Sequence, residues 1–166
     1  MNTLLDKLTE TFDRLLIIYN ELFETAKKKQ RCLISGNIEE LETLLYQEKN
    51  QAEIARLLEE KRQNIISSYC KENNVQEKNV TMKSLMNNMG DSHREKIGNL
   101  LNKLMQSIKQ LQDVNQVNTT LTHYSLEITE DIIKIFCSPG FQYPVYHHSG
   151  KIRENELLTT LVDTEL

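Results

Sequence analysis

The chain has 166 residues, enough for one domain, with 20 basic against 24 acidic side chains and a formal net charge of −4. A mildly acidic chain lacks the positive field that nucleic acid or an anionic membrane surface requires, and no apolar run approaches the ~20 residues of a membrane span. The two prolines, Pro139 and Pro144, lie close to the C-terminal end, so everything before Pro139 is free to be helical. Cys32, Cys70 and Cys137 are far apart and form no CxxC or Cys/His ligand spacing. They read as reduced thiols of a cytosolic protein. The opening stretch, Met1 to Glu10, is amphipathic and carries acids, unlike a signal peptide.

Leu5, Leu8, Phe12, Leu15, Tyr19, Leu22 and Ala26 recur at alternating steps of three and four and predict a first long helix. Leu16, Ile17, Ile18 and Phe23 widen its stripe, so this helix is expected to touch more than one neighbour. Lys27, Lys28, Lys29 and Arg31 sit in its last turns, where positive charge suits the helix dipole. The helix is expected to end near Ser35–Gly36. Asn37 with Glu40 three residues on forms a capping box for a second helix, expected to run to about Asn73. Its expected seam is Leu41, Leu44, Leu45, Ala52, Ala55, Leu58, Ile65, Ile66 and Tyr69. Glu48, Glu59 and Arg62 interrupt it, which suggests interhelical pairs or a thin stretch of bundle.

Residues 73 to 80 are polar and read as a loop. Thr81 can cap a short helix carrying Leu85, Met86 and Met89, with Gly90 ending it. Asp91 or Ser92 then caps the longest helix, which extends to about Cys137 and would be roughly 70 Å long. Its apolar set is Ile97, Leu100, Leu101, Leu104, Ile108, Leu111, Val114, Val117, Leu121, Ile128, Ile132 and Ile135. Gln112 to Thr120 is more polar, and Asn115 and Asn118 extend the seam there. A buried asparagine at such a position fixes register at some cost in stability. From Ser138 the character changes. Pro139, Gly140 and Pro144 forbid helix, and Phe141, Tyr143, Val145 and Tyr146 crowd a short extended stretch. Leu157, Leu158, Leu161 and Val162 then share one face of a short amphipathic tail helix.

The fold class is therefore all-α: an antiparallel bundle or coiled coil of three long helices, with one short extra helix and a C-terminal tail. Residues 1–137 are expected to be bundle and 138–166 tail. So slender a bundle is expected to leave grooves between its helices that a visiting helix can fill.

The sequence offers little chemistry. No histidine has a glutamate three residues before it, as a di-iron bundle would need. His147 and His148 are adjacent in an extended stretch and point to opposite sides. Ser149–Gly150–Lys151 lacks the rest of a phosphate-binding loop, and there is no nucleophile elbow. No catalytic residue, metal ligand or cofactor is expected, and the chain does not read as an enzyme. The surfaces are more informative. The stripe from Leu15 to Phe23 is either plain core or the wall of a groove for a partner helix. Met82, Met86, Met89 and Met105 are either core filling or an adaptable contact surface. The aromatic stretch from Phe141 to Tyr146 either covers its own bundle or anchors a partner.

The layout resembles the FlgN family of flagellar export chaperones over almost the whole chain. Leu15, Tyr19 and Leu22, leading into the lysine-rich stretch, resemble the family's opening helix. Ile38, Leu41 and Leu45 through Glu59–Glu60–Lys61–Arg62 are similar to its second helix. Thr81 and Leu85 match its short middle helix, and Asn115, Asn118 and Leu121 match an Asn-x-x-Asn pattern in its last long helix. Tyr146 and Gly150 match a Tyr-x-x-x-Gly pattern that follows, with His147, His148 and Ser149 as this chain's departure from it. The resemblance implies a cytoplasmic chaperone. It would bind the C-terminal helical ends of hook–filament junction proteins of the FlgK and FlgL type, prevent their premature assembly and deliver them to the flagellar export gate. The candidate client-binding residues are Leu16, Ile17 and Phe23 on the first helix and Leu121, Ile128 and Ile132 on the last. Tyr146 is the candidate contact with the export gate by similarity. The tail helix with Leu157, Leu158, Leu161 and Val162 could imitate a client helix. A second copy of the chain is a further candidate partner, and neither nucleic acid nor membrane insertion is expected. The alternatives are a coiled-coil adaptor outside flagellar secretion and a chaperone of another secretion system.

Overall fold

The computed structural model describes residues 2–72, 82, 86 and 90–137. Three helices account for almost all of them: α1 (Asn2–Ser35), α2 (Ile38–Glu72) and α3 (Asp91–Cys137). No strand occurs among the described residues. By its internal contacts the chain divides into two compact units, Met1–Leu121 and Thr122–Leu166.

The turn between α1 and α2 is set by two residues. Gly36 takes a φ of 70°, the left-handed region that a side chain resists and glycine does not. The Asn37 N–H then donates back to the Cys32 carbonyl at 3.1 Å, which closes the last turn of α1 in a Schellman arrangement. Asn37 also starts α2. Its Oδ1 accepts the Glu40 N–H at 3.2 Å, and its Nδ2 donates to the Glu40 carboxylate at 3.0 Å. The N-cap half of the expected capping box is therefore present, while Glu40 bonds the Asn37 side chain rather than its N–H, which Cys32 already holds. The basic run Lys27–Arg31 lies inside α1 rather than at its end, and the last turn carries no basic residue. Lys27 pairs with Glu24, and Lys29 reaches Glu48 of α2. At the start of α3, the Gly90 carbonyl accepts the Arg94 N–H at 3.0 Å. The cap position is thus Gly90, before both Asp91 and Ser92, which the side chains suggested.

Helix directions follow from the bonds between them. Thr25 meets Gln51 and Lys29 meets Glu48, so α2 runs antiparallel to α1. His93 meets Asp6 and Ser107 meets Asn20, both at a separation of 87 positions, and Asn118 meets Ala26. In Met1–Leu121, α3 therefore runs parallel to α1, in an up-down-up bundle.

The core is the α1 seam and what covers it. Leu5, Leu8, Phe12 and Leu15 pack with Ile65 and Tyr69 of α2 and Ile97, Leu100 and Leu104 of α3. Met82 and Met86 lie against this cluster, half-buried. A second, smaller cluster joins Ile18, Leu22 and Ala55. The wide stripe of α1 is thus covered from two sides, as its breadth required. Ile17 is the exception and faces solvent. The short helix expected over Thr81–Met89 falls mostly outside the described residues. So do the aromatic stretch, Tyr146 and the tail helix.

On α2 the seam differs from the expected one. Leu45 and Ala52 are exposed, whereas Gln51 is buried. The true seam steps through Leu44, Glu48, Gln51, Ala55, Leu58, Arg62, Ile65 and Tyr69 at alternating fours and threes. Three of its members are polar, and each has a partner: Gln51 with Thr25, Glu48 with Lys29, Arg62 with Glu59. A buried polar group costs little once bonded. A neighbouring leucine therefore does not displace it.

Leu15 is wholly buried while Ile17, two residues on, is 58% exposed. Leu15→Ala should lower stability by about 2–5 kcal/mol, and Ile17→Ala should change it by no more than about 0.5 kcal/mol. Urea unfolding followed by helical circular dichroism measures both.

Candidate functional site

Around and beyond Leu22 and Ala55, polar side chains link the helices of the bundle. Thr25 donates to Gln51 Oε1 at 2.9 Å, joining α1 to α2. Ser107 donates to Asn20 Oδ1 at 2.5 Å, and Asn118 Nδ2 donates to the Ala26 backbone carbonyl at 2.9 Å, joining α3 to α1. Ala26 is fully buried, and its lack of a larger side chain leaves its carbonyl within reach of a neighbouring helix. Lys29 and Glu48 follow at 2.5 Å, largely screened from water. These bonds have directions and lengths that a sliding helix cannot keep, so they fix the register of all three helices. Asn115, the other half of the Asn-x-x-Asn pattern, is half-buried.

Asn118 is the last buried residue of α3. Leu121 is half-buried, and from Thr122 to Cys137 every residue is exposed. That stretch is nonetheless rich in large apolar side chains: Tyr124, Leu126, Ile128, Ile132, Ile133, Ile135 and Phe136, the last 81% exposed. A helical segment this apolar in water marks an interaction surface. The charged residues Glu127, Glu130, Asp131 and Lys134 cluster on the remaining side at steps of three and four. Asp131 and Lys134 pair with each other.

The six side chains singled out for client contact thus have different surroundings. Leu16 is half-buried and packs on the first core cluster. Ile17 is exposed beside it. Phe23 is half-buried, with the Lys27 ammonium 5.1 Å from the centre of its ring. Ile128 and Ile132 stand in the exposed segment, one helical turn apart. Tyr124, Leu126, Ile133 and Phe136 were not singled out. Their signal was available, since a stripe that broadens on the last turns of a helix says that more than one partner is needed. The other exposed apolar residues, including Ile34, Ile38, Leu45, Tyr46, Ile54 and Leu57, are interleaved with charges along α1 and α2.

Two concavities among the described residues are lined largely by charged and polar residues. One, of about 380 Å³, is lined by Asp6, Thr9, Glu10, Asp13, His93 and Lys96. The other, of about 370 Å³, is lined by Lys28, Arg31, Cys32, Ser35, Glu40, Thr43 and Leu44. Burial pushes the Cys32 thiol up, with Glu40 adding to the effect, so it is a poor nucleophile. Burial and Glu59 likewise raise the Tyr19 phenol against the opposing pull of Arg62. Arg56 holds the Glu53 carboxyl below its usual range on the open face of α2, where such pairs contribute little to stability. No group of three or more His, Cys, Asp or Glu able to hold a metal ion occurs among the described residues. None of their helices is long and apolar enough to cross a membrane.

The family model for FlgN protein matches residues 1–154, nearly the whole chain and both of its compact units. The chain belongs to the FlgN family. No curated protein and no solved structure matches it. The FlgN family consists of flagellar export chaperones, so the exposed end of α3 is a surface on a chaperone's scaffold. Asn118, the second asparagine of the Asn-x-x-Asn pattern, has a structural use here, because it ties α3 to the backbone of α1.

Asn118→Ala should cost about 1–3 kcal/mol, the usual range for removing one partner of a buried hydrogen bond. The midpoint of urea unfolding should fall while the slope stays as in the parent chain.

Proposed function

We propose that this FlgN-family chain is a cytoplasmic chaperone for hook-associated proteins of the FlgK and FlgL type. It binds their C-terminal helical ends on the exposed segment of α3, prevents premature assembly, and presents them to the flagellar export gate. It does so by contact alone, as a non-enzyme without a cofactor. The observation that supports this reading is the run of exposed apolar side chains between Tyr124 and Phe136 on a helix whose earlier turns are held in register by the bundle.

An unassembled client end is itself amphipathic, and its apolar face would self-associate. Ile128, Ile132 and Ile135 offer that face a matching row. Each large side chain buried contributes roughly 1.5–3 kcal/mol before ordering costs are subtracted. A handful of them suffices for specific binding, and the client leaves when a competing surface offers more. Ile17 is the remaining candidate on α1, since it is exposed where Leu16 is packed. Tyr146, by similarity to the family, is proposed as the contact with the export gate.

Ile128→Asp combined with Ile132→Asp should weaken binding of a hook-associated protein by about a hundredfold or more. The melting temperature should stay close to that of the parent chain, because both sites are exposed. Co-purification with full-length and C-terminally trimmed client checks this; capture that ignores both the substitutions and the trimming would reject the site. Tyr146→Ala should leave client affinity within about twofold while secretion of the client falls. Equal loss of both, or of neither, would remove Tyr146 from the gate.

A further inference from the structure

The exposed end of α3 is apolar over more of its circumference than one helix can cover. At 3.6 residues per turn, Tyr124, Ile128, Ile132 and Ile135 form one row. Leu126, Ile133 and Phe136 form a second, roughly a third of a turn away. All seven are exposed.

The first row continues a seam already in use. Stepping by seven, Leu104, Leu111 and Asn118 lead to Ile132, and Leu100, Ser107 and Val114 lead to Ile128 and Ile135. In Met1–Leu121 this seam takes part in a core that both other helices supply, with Ile65 and Tyr69 from α2 and Leu8, Phe12 and Leu15 from α1. Leu126 and Ile133 of the second row have no core counterpart there: the equivalent earlier positions are Gly98, Met105, Gln112 and Thr119, and Met105 is exposed. Phe136 steps back by sevens through Thr129, Thr122 and Asn115 to Ile108 and Leu101, which pack on the core. An arc that needs two helices to cover it in the bundle therefore runs on past Leu121 and widens.

We infer that the partner seated on Thr122–Cys137 is a pair of helices, one along Ile128, Ile132 and Ile135 and the other along Leu126, Ile133 and Phe136. This rests on the chaperone reading and specifies what the client must present. The charges narrow it further. Glu127, Glu130 and Asp131 against Lys134 leave the polar side acidic. A second copy of this chain would bring like charge to the edges, whereas a client pair with lysine or arginine flanking its apolar rows would be attracted.

The test uses the full chain and two probes from a hook-associated protein: a C-terminal fragment long enough to supply two helices, and a peptide of its last helix alone. Calorimetry should show the two-helix fragment binding one to one and at least about tenfold more tightly than the single helix. Leu126→Gln with Ile133→Gln should weaken the two-helix fragment by about tenfold or more and leave the single helix unaffected. The two-helix inference is overturned if the single helix binds as tightly as the longer fragment. It is also overturned if the Leu126 and Ile133 substitutions leave the longer fragment untouched. Binding of neither probe to a folded chain would instead overturn the chaperone reading on which the inference rests.

Discussion

An apolar stripe wider than a single helix contact has to be covered from two sides, and that requirement organises this chain. On α1 it is met. Leu8, Phe12 and Leu15 face α2 and α3 together, and the seam is buried over its first six turns or so. No other helix carries so continuous an apolar face. The seam of α2 is interrupted by Glu48, Gln51 and Arg62, and that of α3 by Ser107 and Asn118. The bundle therefore forms around α1, which α2 and α3 both cover.

The polar layer that follows has a different role. Thr25–Gln51, Ser107–Asn20 and Asn118–Ala26 contribute less stability per residue than leucines of the same volume would. They contribute direction instead. An apolar seam alone tolerates a shift of one heptad, because one leucine resembles the next. A carbonyl held at 2.9 Å by one asparagine does not. In a chain whose proposed surface lies further along the same helix, register decides which side chains that surface displays.

Much of this was legible in the sequence. The α1 seam, the Asn37–Glu40 box, the extent of α3 and the register role of Asn118 all follow from local patterns that the packing had no reason to override. The errors share one cause. Reading α2 by hydrophobicity favoured Leu45 and Ala52 over Gln51, although Gln51 has the right spacing and lacks only the right polarity. Its partner Thr25 stands 26 positions away, and no local pattern reveals that pairing. The exposed segment of α3 was half legible for the same reason. Ile128 and Ile132 extend a seam and could be picked out. Leu126 and Ile133 sit off it, and apolar residues off a seam look like noise until the whole stretch is known to be exposed. Leu16 and Phe23 widen the α1 stripe, and width alone does not say which part of a face a neighbour covers.

The two ends of α3 connect these observations. Over its first half the helix presents an apolar face of ordinary width, alternating with Ser107 and Asn118, and that face is buried. Past Leu121 the polar interruptions of the seam reduce to Ser125, β-branched isoleucines dominate, and the apolar arc broadens. Solubility in isolation selects against this pattern. Its persistence on a helix anchored upstream by specific hydrogen bonds is what a surface shaped by a helical partner requires. The anchoring also limits the cost of binding. A segment already helical has lost its backbone entropy before the partner arrives, about 1–2 kcal/mol for each residue fixed. On the proposed reading, the chaperone contributes a preformed template, and the ordering cost falls on the client alone. The complex is then strong enough to form and weak enough to be dissolved by a competing surface, with no bond broken and no nucleotide consumed.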